Sequence, residues 1–342
     1  MRPPALFSIR RGAAVALVLA VGGSALVGCG SDGSDTDSGA AGDSPVVAST
    51  SIWADVTSNV LCDTVTVPAL IPIGTDAHSF EPTIQDADTL RAADLVVVNG
   101  LNLEEGLQDA LKTASSDGAR VLELGPDLSP LEVSEEGHED GDHEEDGHDH
   151  DGADPHVWMD PDRVATAVPL IADALRRVDG LPVDDDQIDQ CASDYVAELT
   201  ALSAEMDAAL QVVPADSRKL VTNHESLGYF ADRFDFQVVG AVIPSTSSLG
   251  ESNPRELDEL AATMQDQGVR AVFAETTSAT ALSKALAQQV GGDVQVVELF
   301  TESLGGTGTP ARTYVEMMRT DAGLIASALG DASLGSTGTP AK

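Results

Sequence analysis

The 342-residue chain carries 57 Asp and Glu against 18 Lys and Arg, a formal net charge of −39, with 42 % apolar and only 4 % aromatic residues. That length and apolar content support packed cores and two domains of ordinary size. So negative a field argues against nucleic-acid backbones as partners, repels anionic substrates and concentrates cations.

The N-terminus reads as a targeting segment over residues 1–29. Arg2, Arg10 and Arg11 precede an apolar run at 13–27 that is short for a membrane span. The run ends in Leu26-Val27-Gly28-Cys29, the spacing of a bacterial lipobox. Lipidation at Cys29 would make it the mature N-terminus and anchor an exported protein on the outer face of the cytoplasmic membrane. The competing reading is an ordinary secretory signal with an incidental cysteine. Arg10-Arg11 leaves twin-arginine export open beside the general secretory route. Residues 30–45, mostly Gly, Ser, Asp and Ala, have almost nothing to bury and form a flexible tether. Cys62 and Cys191 remain, and an even pair in an exported protein points to one disulfide. Two buried thiols are the alternative.

From Val46 the pattern becomes that of strands alternating with helices. Strands are expected at 46–50, 64–70, 94–99 and 120–124, with helices at 52–61, 84–92 and 104–114. Residues 132–151 break the pattern with a low-complexity acidic run carrying His138, His143, His148 and His150. No packed core can form from it, so it is expected as a disordered surface loop offering weak, accessory metal contacts. A helix follows at 161–177.

Residues 187–213 repeat apolar positions at three- and four-residue steps, the mark of one long helix of about 40 Å ended by Pro214. The strand–helix alternation then restarts, with strands at 218–223, 236–243, 270–275 and 294–300. Helices are expected at 226–234, 254–267, 279–289 and 313–329. Asn253-Pro254-Arg255-Glu256 is a helix start, with an Asn cap, Pro at the first position and Glu closing a capping box. The expected fold is therefore α/β. Two similar lobes with central parallel sheets flanked by helices occupy 46–186 and 214–330, joined by a backbone helix at 187–213, with a frayed tail at 331–342.

Of 7 histidines, only His78, His156 and His224 lie outside the acidic run, each in a loop of its own. His156 sits in Asp-Pro-His-Val-Trp-Met-Asp-Pro-Asp, braced by Pro155 and Pro161. His78, His224 and Glu302 fall beyond the carboxyl ends of expected strands, where ligands of open α/β sheets gather. A single loop histidine is more often a solvated or hydrogen-bonded side chain, and Glu302 could merely favour a helix N-terminus. Together, two residues per lobe would place one metal ion in the cleft between lobes.

Four motifs resemble the metal-specific solute-binding lipoproteins of ABC importers, the cluster A-I family. They are Gly74-Thr-Asp-Ala-His78-Ser-Phe-Glu81-Pro82, Asp154-Pro-His156-Val-Trp-Met-Asp160-Pro161, Val221-Thr-Asn-His224-Glu-Ser-Leu-Gly-Tyr-Phe230 and Phe300-Thr-Glu302-Ser-Leu. The resemblance covers about residues 46–329 and implies two lobes, a backbone helix and a metal held between them. It implies His78, His156, His224 and Glu302 as ligands, although the family usually has Asp at the fourth position. Glu81 and Glu225 stand next to ligands without matching ligand positions. His at the third position and a His-rich insertion resemble the zinc-uptake branch, whereas manganese binders often carry Glu there.

Three imidazoles and one carboxylate suit tetrahedral Zn²⁺, with Mn²⁺ as the alternative cargo. The expected function is a receptor without enzymatic activity, a monomer that delivers metal to an ABC permease. A zinc hydrolase would need an open coordination position with Glu302 as its base, but no His-Glu-x-x-His or Gly-x-Ser-x-Gly pattern occurs. A structural zinc site would draw on more cysteines and shorter spacings.

Overall fold

A computed structural model describes residues 44–132, 152–292 and 294–330. The expected leader with Cys29, the tether up to residue 43, the histidines of the acidic run and the tail from 331 lie outside the described residues. Ser44 and Pro45, assigned to the tether, belong to the fold instead. Ser44 Oγ donates to the Val46 carbonyl at 2.7 Å, and the Pro45 carbonyl accepts the amides of Asp94 and Leu95 at 2.9 and 3.0 Å.

The first sheet is parallel, in the order β1 (Val46–Ala48), β2 (Leu95–Val98), β3 (Arg120–Glu123). β2 is Leu-Val-Val-Val and wholly buried, as a strand covered on both faces must be. The strand expected at 64–70 is reduced to one bridge, Ala48 to Ala69. Ala48 N donates to the Pro68 carbonyl and Leu70 N donates to the Ala48 carbonyl, at 3.0 and 2.9 Å. The next rung would need the amide of Pro68, which has none, and Ser44 Oγ already serves the Val46 carbonyl. The segment still runs beside β1, so the spatial order matches that of the second sheet.

The second sheet is also parallel, in the order β5 (Gln237–Ala241), β4 (Lys219–Thr222), β6 (Ala271–Glu275), β7 (Gln295–Leu299). In the first lobe lie α1 (Ser51–Val60), α2 (Ile84–Ala92), α3 (Gln108–Asp117) and α4 (Pro161–Leu175). The second carries α6 (Gly228–Phe234), α7 (Pro254–Gln267), α8 (Ala281–Val290) and α9 (Tyr314–Leu329). Local chemistry starts several of them. Thr50 caps α1, while Thr83–Asp86, Asp184–Gln187 and Asn253–Glu256 form reciprocal capping boxes. The helix expected from 104 begins as a one-turn 3₁₀ segment at Glu105–Leu107 because the Glu104 carboxylate turns inward.

α5 (Asp185–Leu210) is the long connector, about 39 Å at 1.5 Å per residue, and it packs against α1, α4 and α9. It stops three residues before the sequence pattern does. Arg218 collects the carbonyls of Leu210, Val213 and Phe234 at 3.4, 3.3 and 3.0 Å, closing the C-terminal ends of α5 and α6 together. The Cys62–Cys191 disulfide is present, with Cα atoms 5.5 Å apart, and ties the residues after α1 to the first turns of α5. The main apolar core is continuous from β1–β3 through α4 and α5 to α6 and α9, while a smaller one lies among β4, β6, α7 and α8. Among the described residues no helix is long and apolar enough to cross a membrane.

Candidate metal centre

His78 lies in the loop between the bridged segment and α2, and His156 immediately precedes a one-turn 3₁₀ helix at Val157–Met159 that leads into α4. His224 follows β4 by two residues and Glu302 follows β7 by three. The fold brings all four together, buried, with one donor atom of each within 4.8 Å of the others. Each imidazole presents Nε2. His156 Nε2 is 3.4 Å from His78 Nε2 and 3.0 Å from His224 Nε2, and Glu302 Oε1 stands 3.4 and 3.7 Å from the His156 and His224 nitrogens. Nitrogens about 2.0–2.1 Å from one tetrahedral ion would lie roughly 3.3 Å apart, so these spacings fit a shared cation.

The outward nitrogens explain why the rings face inward. His156 Nδ1 meets Asp154 Oδ1 at 2.7 Å, and the same oxygen accepts the His156 backbone amide at 2.9 Å. His224 Nδ1 lies 2.5 Å from Glu275 Oε1, close enough for an ion pair although its direction misses an aligned hydrogen bond. Carboxylates placed this way keep Nε2 free to coordinate and raise its basicity. His78 Nδ1 has no hydrogen-bond partner among the described residues, nor does either Glu302 oxygen, although Oε1 lies near two imidazole nitrogens. Buried polar atoms without partners are costly, and a bound cation would satisfy the carboxylate.

The electrostatics point the same way. Burial, reinforced by His156 and His224, pushes His78 down to about 2, which keeps it neutral. Burial also works against charge on His224, but the Glu275 contact and charge, then Glu302 and Asp76, outweigh it and push His224 up to about 9. Burial pushes Glu302 up to about 7, against the pull of His156 and His224. Glu275 is buried too, yet His224 holds it below the ordinary carboxylate range.

Surrounding contacts fix the loops. Asn99 Nδ2 donates to the Pro155 carbonyl at 2.9 Å while its Oδ1 accepts Trp53 Nε1 at 3.0 Å. Glu104 accepts Ser49 Oγ and the amides of Asn99 and Gly100 at 2.6, 2.8 and 3.1 Å, which locks that corner. Across the lobes, Trp158 Nε1 donates to the Thr301 carbonyl at 2.7 Å, and Tyr229 Oη donates to the Asp154 carbonyl at 2.5 Å. Gly228 is required there, because a Cβ would stand 2.6 Å from Asp154 Oδ2.

Sequence reasoning left Asp76, Asp154 and Glu275 without roles. A signal for two of them was present. Both His78 and His156 follow an Asp at the second position back, and each Asp accepts that histidine's backbone amide at 2.9 Å. Glu275 ends an otherwise apolar, wholly buried strand, itself a signal at the carboxyl end of a parallel sheet. Glu81 is exposed and Glu225 half-buried, and neither belongs to the convergent group.

The profile of the family described as zinc-uptake complex component A, periplasmic (ZnuA) matches residues 46–328. The manganese-binding lipoprotein MntA of Halalkalibacterium halodurans is 29 % identical over 294 residues, 85 % of this chain and 90 % of that protein. The manganese ABC transporter substrate-binding lipoprotein PsaA of Streptococcus anginosus is 28 % identical over 322 residues, 92 % of this chain and 97 % of its own. The zinc-binding protein TroA of Treponema pallidum is 29 % identical over 299 residues, 86 % of this chain and 91 % of its own. The solved structure of TroA superposes with a TM-score of 0.73 at 27 % identity, covering 84 % of this chain and 99 % of that one. With three histidines and one glutamate converging, buried, between two parallel-sheet lobes, the chain belongs to the ZnuA family and is a metal-binding substrate receptor of an ABC importer, not an enzyme.

Proposed function

We propose that the chain is a zinc receptor whose cargo is held by His78, His156, His224 and Glu302. The observation that carries this reading is the convergence of three imidazole Nε2 atoms and one carboxylate oxygen in a buried group. Imidazole-rich, four-donor sites suit Zn²⁺, whereas Mn²⁺ favours more oxygen and higher coordination. Relatives named for manganese favour Mn²⁺ as the second reading. In the proposed arrangement the lobes 46–186 and 214–330 contribute two ligands each, and the helix near 187–213 holds their spacing. The protein is exported, anchored through lipidated Cys29 on the outer face of the cytoplasmic membrane, and acts as a monomer that hands its ion to the permease. His138, His143, His148 and His150 serve as accessory, low-affinity collectors. Their insertion leaves the fold beside the site, since Glu132 bridges Ala153 and Asp154 N donates to the Leu131 carbonyl at 2.8 Å.

The test is a zinc-against-manganese competition titration of the protein starting at residue 30, with and without residues 133–151. One tight site preferring zinc, present in both forms and lost in His224→Ala, is expected. Equal or tighter manganese binding would move the cargo to Mn²⁺. Loss of tight binding on removing 133–151 would show the four-residue centre to be misassigned.

A further inference from the structure

The segment 243–250, Ile-Pro-Ser-Thr-Ser-Ser-Leu-Gly, connects β5 to α7 in the second lobe. Its first residues are laced to the His224 segment. Ile243 N donates to the Asn223 carbonyl at 2.8 Å, and Glu225 N donates to the Ser245 carbonyl at 2.9 Å. The segment then folds on itself, with Ser247 N donating to Ser245 Oγ at 3.0 Å and Gly250 N donating to the Ser247 carbonyl at 3.1 Å. Gly250 is demanded by this tightness, since a Cβ there would stand 2.7 Å from Ser245 Cβ.

The resulting turn points two hydroxyls at the first lobe. Ser248 Oγ donates to Asp76 Oδ2 at 2.5 Å, and Ser247 Oγ donates to Glu105 Oε1 at 3.1 Å. The other Asp76 oxygen accepts the backbone amide of His78 at 2.9 Å. A strap tied at one end to the His224 segment thus ends, through Asp76, on the loop of His78. Hydroxyl-to-carboxylate bonds are short, directional and stronger than neutral ones. Asp76, Glu105, Ser247 and Ser248 are all half-buried, whereas Trp158, Tyr229 and Thr301, which make two of the other interlobe bonds, are buried. Water can therefore compete for the strap, as it can for the exposed Arg233–Asp162 pair, while the buried Trp158 and Tyr229 bonds are shielded from it.

We propose that Ser247 and Ser248 are positioning residues that latch the two lobes across the metal site and set the rate at which the ion leaves. They act through Asp76 and Glu105 and do not touch the ion. Opening the cleft on the side of His78 and His224 requires these bonds to break, and water replaces them without unfolding either lobe. The inference rests on the metal-receptor reading above.

The test is metal release from the zinc-loaded mature protein, mixed rapidly with excess chelator and followed by a zinc-responsive dye. Ser248→Ala is expected to raise the dissociation rate about tenfold, or about 1.4 kcal/mol. The Ser247→Ala/Ser248→Ala pair should raise it further. Ser248→Thr retains the hydroxyl and should restore the slow rate, and the urea midpoint of the metal-free protein should stay unchanged in all of them. Dissociation of Ser248→Ala at the wild-type rate would overturn the latch while leaving the receptor intact, as would a Thr variant as fast as the Ala variant. A wild-type protein that binds neither zinc nor manganese tightly overturns the receptor reading itself.

Discussion

Asp321 lies fully buried on α9, where Oδ1 accepts the Phe300 amide at 3.1 Å and Oδ2 has no partner among the described residues. Burial pushes its carboxyl up to about 7 from an ordinary 3.8, against the smaller opposing effect of the Phe300 bond. A carboxyl with a raised folded-state pKa contributes stability that is fully present below about 4 and lost as pH rises towards 7. Three units correspond to about 4 kcal/mol between those limits. Asp321→Asn keeps the acceptor for Phe300 and removes the titration, while burying an amide that lacks partners costs about 1–3 kcal/mol. The variant should therefore gain on the wild type as pH rises, by about 2 kcal/mol between pH 5.5 and 8.5, since only the last 1.5 units of titration fall in that interval. Urea unfolding of the metal-free proteins in chelator at both pH values measures the difference and cancels the other carboxylates. A stability difference between variant and wild type that is the same at both pH values would refute the reasoning.

Three further outcomes are expected. Glu275→Gln keeps the shape but removes the anion beside His224 Nδ1, so zinc affinity should fall about 10–100-fold by calorimetric titration, with metal-free circular dichroism unchanged. Gly228→Ala drives a Cβ to within 2.6 Å of Asp154 Oδ2, displacing the carboxylate that orients His156. Its metal-free stability should drop by about 1–3 kcal/mol in urea, with weaker zinc binding. Reduction of the Cys62–Cys191 bond, which closes a separation of 129 residues, should cost up to about 5 kcal/mol in denaturant while leaving zinc affinity near wild type, because neither cysteine belongs to the convergent donor group.

Much of the fold was legible because local chemistry and global packing agree. α2 and the N-terminal start of α7 are marked by caps at Thr83 and Asn253, and both begin where those residues require. β2 announces itself as four consecutive buried apolar residues. The expected strand at 64–70 has suitable composition, but parallel pairing asks for an amide at Pro68, and that demand exists only once β1 is its neighbour. Likewise the end of α5 is decided by Arg218, a residue beyond Pro214 whose reach to the Leu210 and Phe234 carbonyls depends on how two helices meet.

The same division runs through the site. Sequence by itself determined the residue types: three histidines in proline-braced or strand-end loops, a carboxylate after the last strand, and a negative charge that argues against nucleic-acid backbones as partners. Those follow from side-chain chemistry and from strand order, which are local or repetitive properties. Only tertiary structure decided that the four donors meet within 4.8 Å, that Glu275 stands behind the His224 ring, and that Ser248 reaches Asp76 in the other lobe. Each of these joins residues far apart in the chain or in different loops. Their geometry is set by how β4, β6 and β7 stack beside one another and by how α5 and α9 hold the two sheets, which no local pattern encodes.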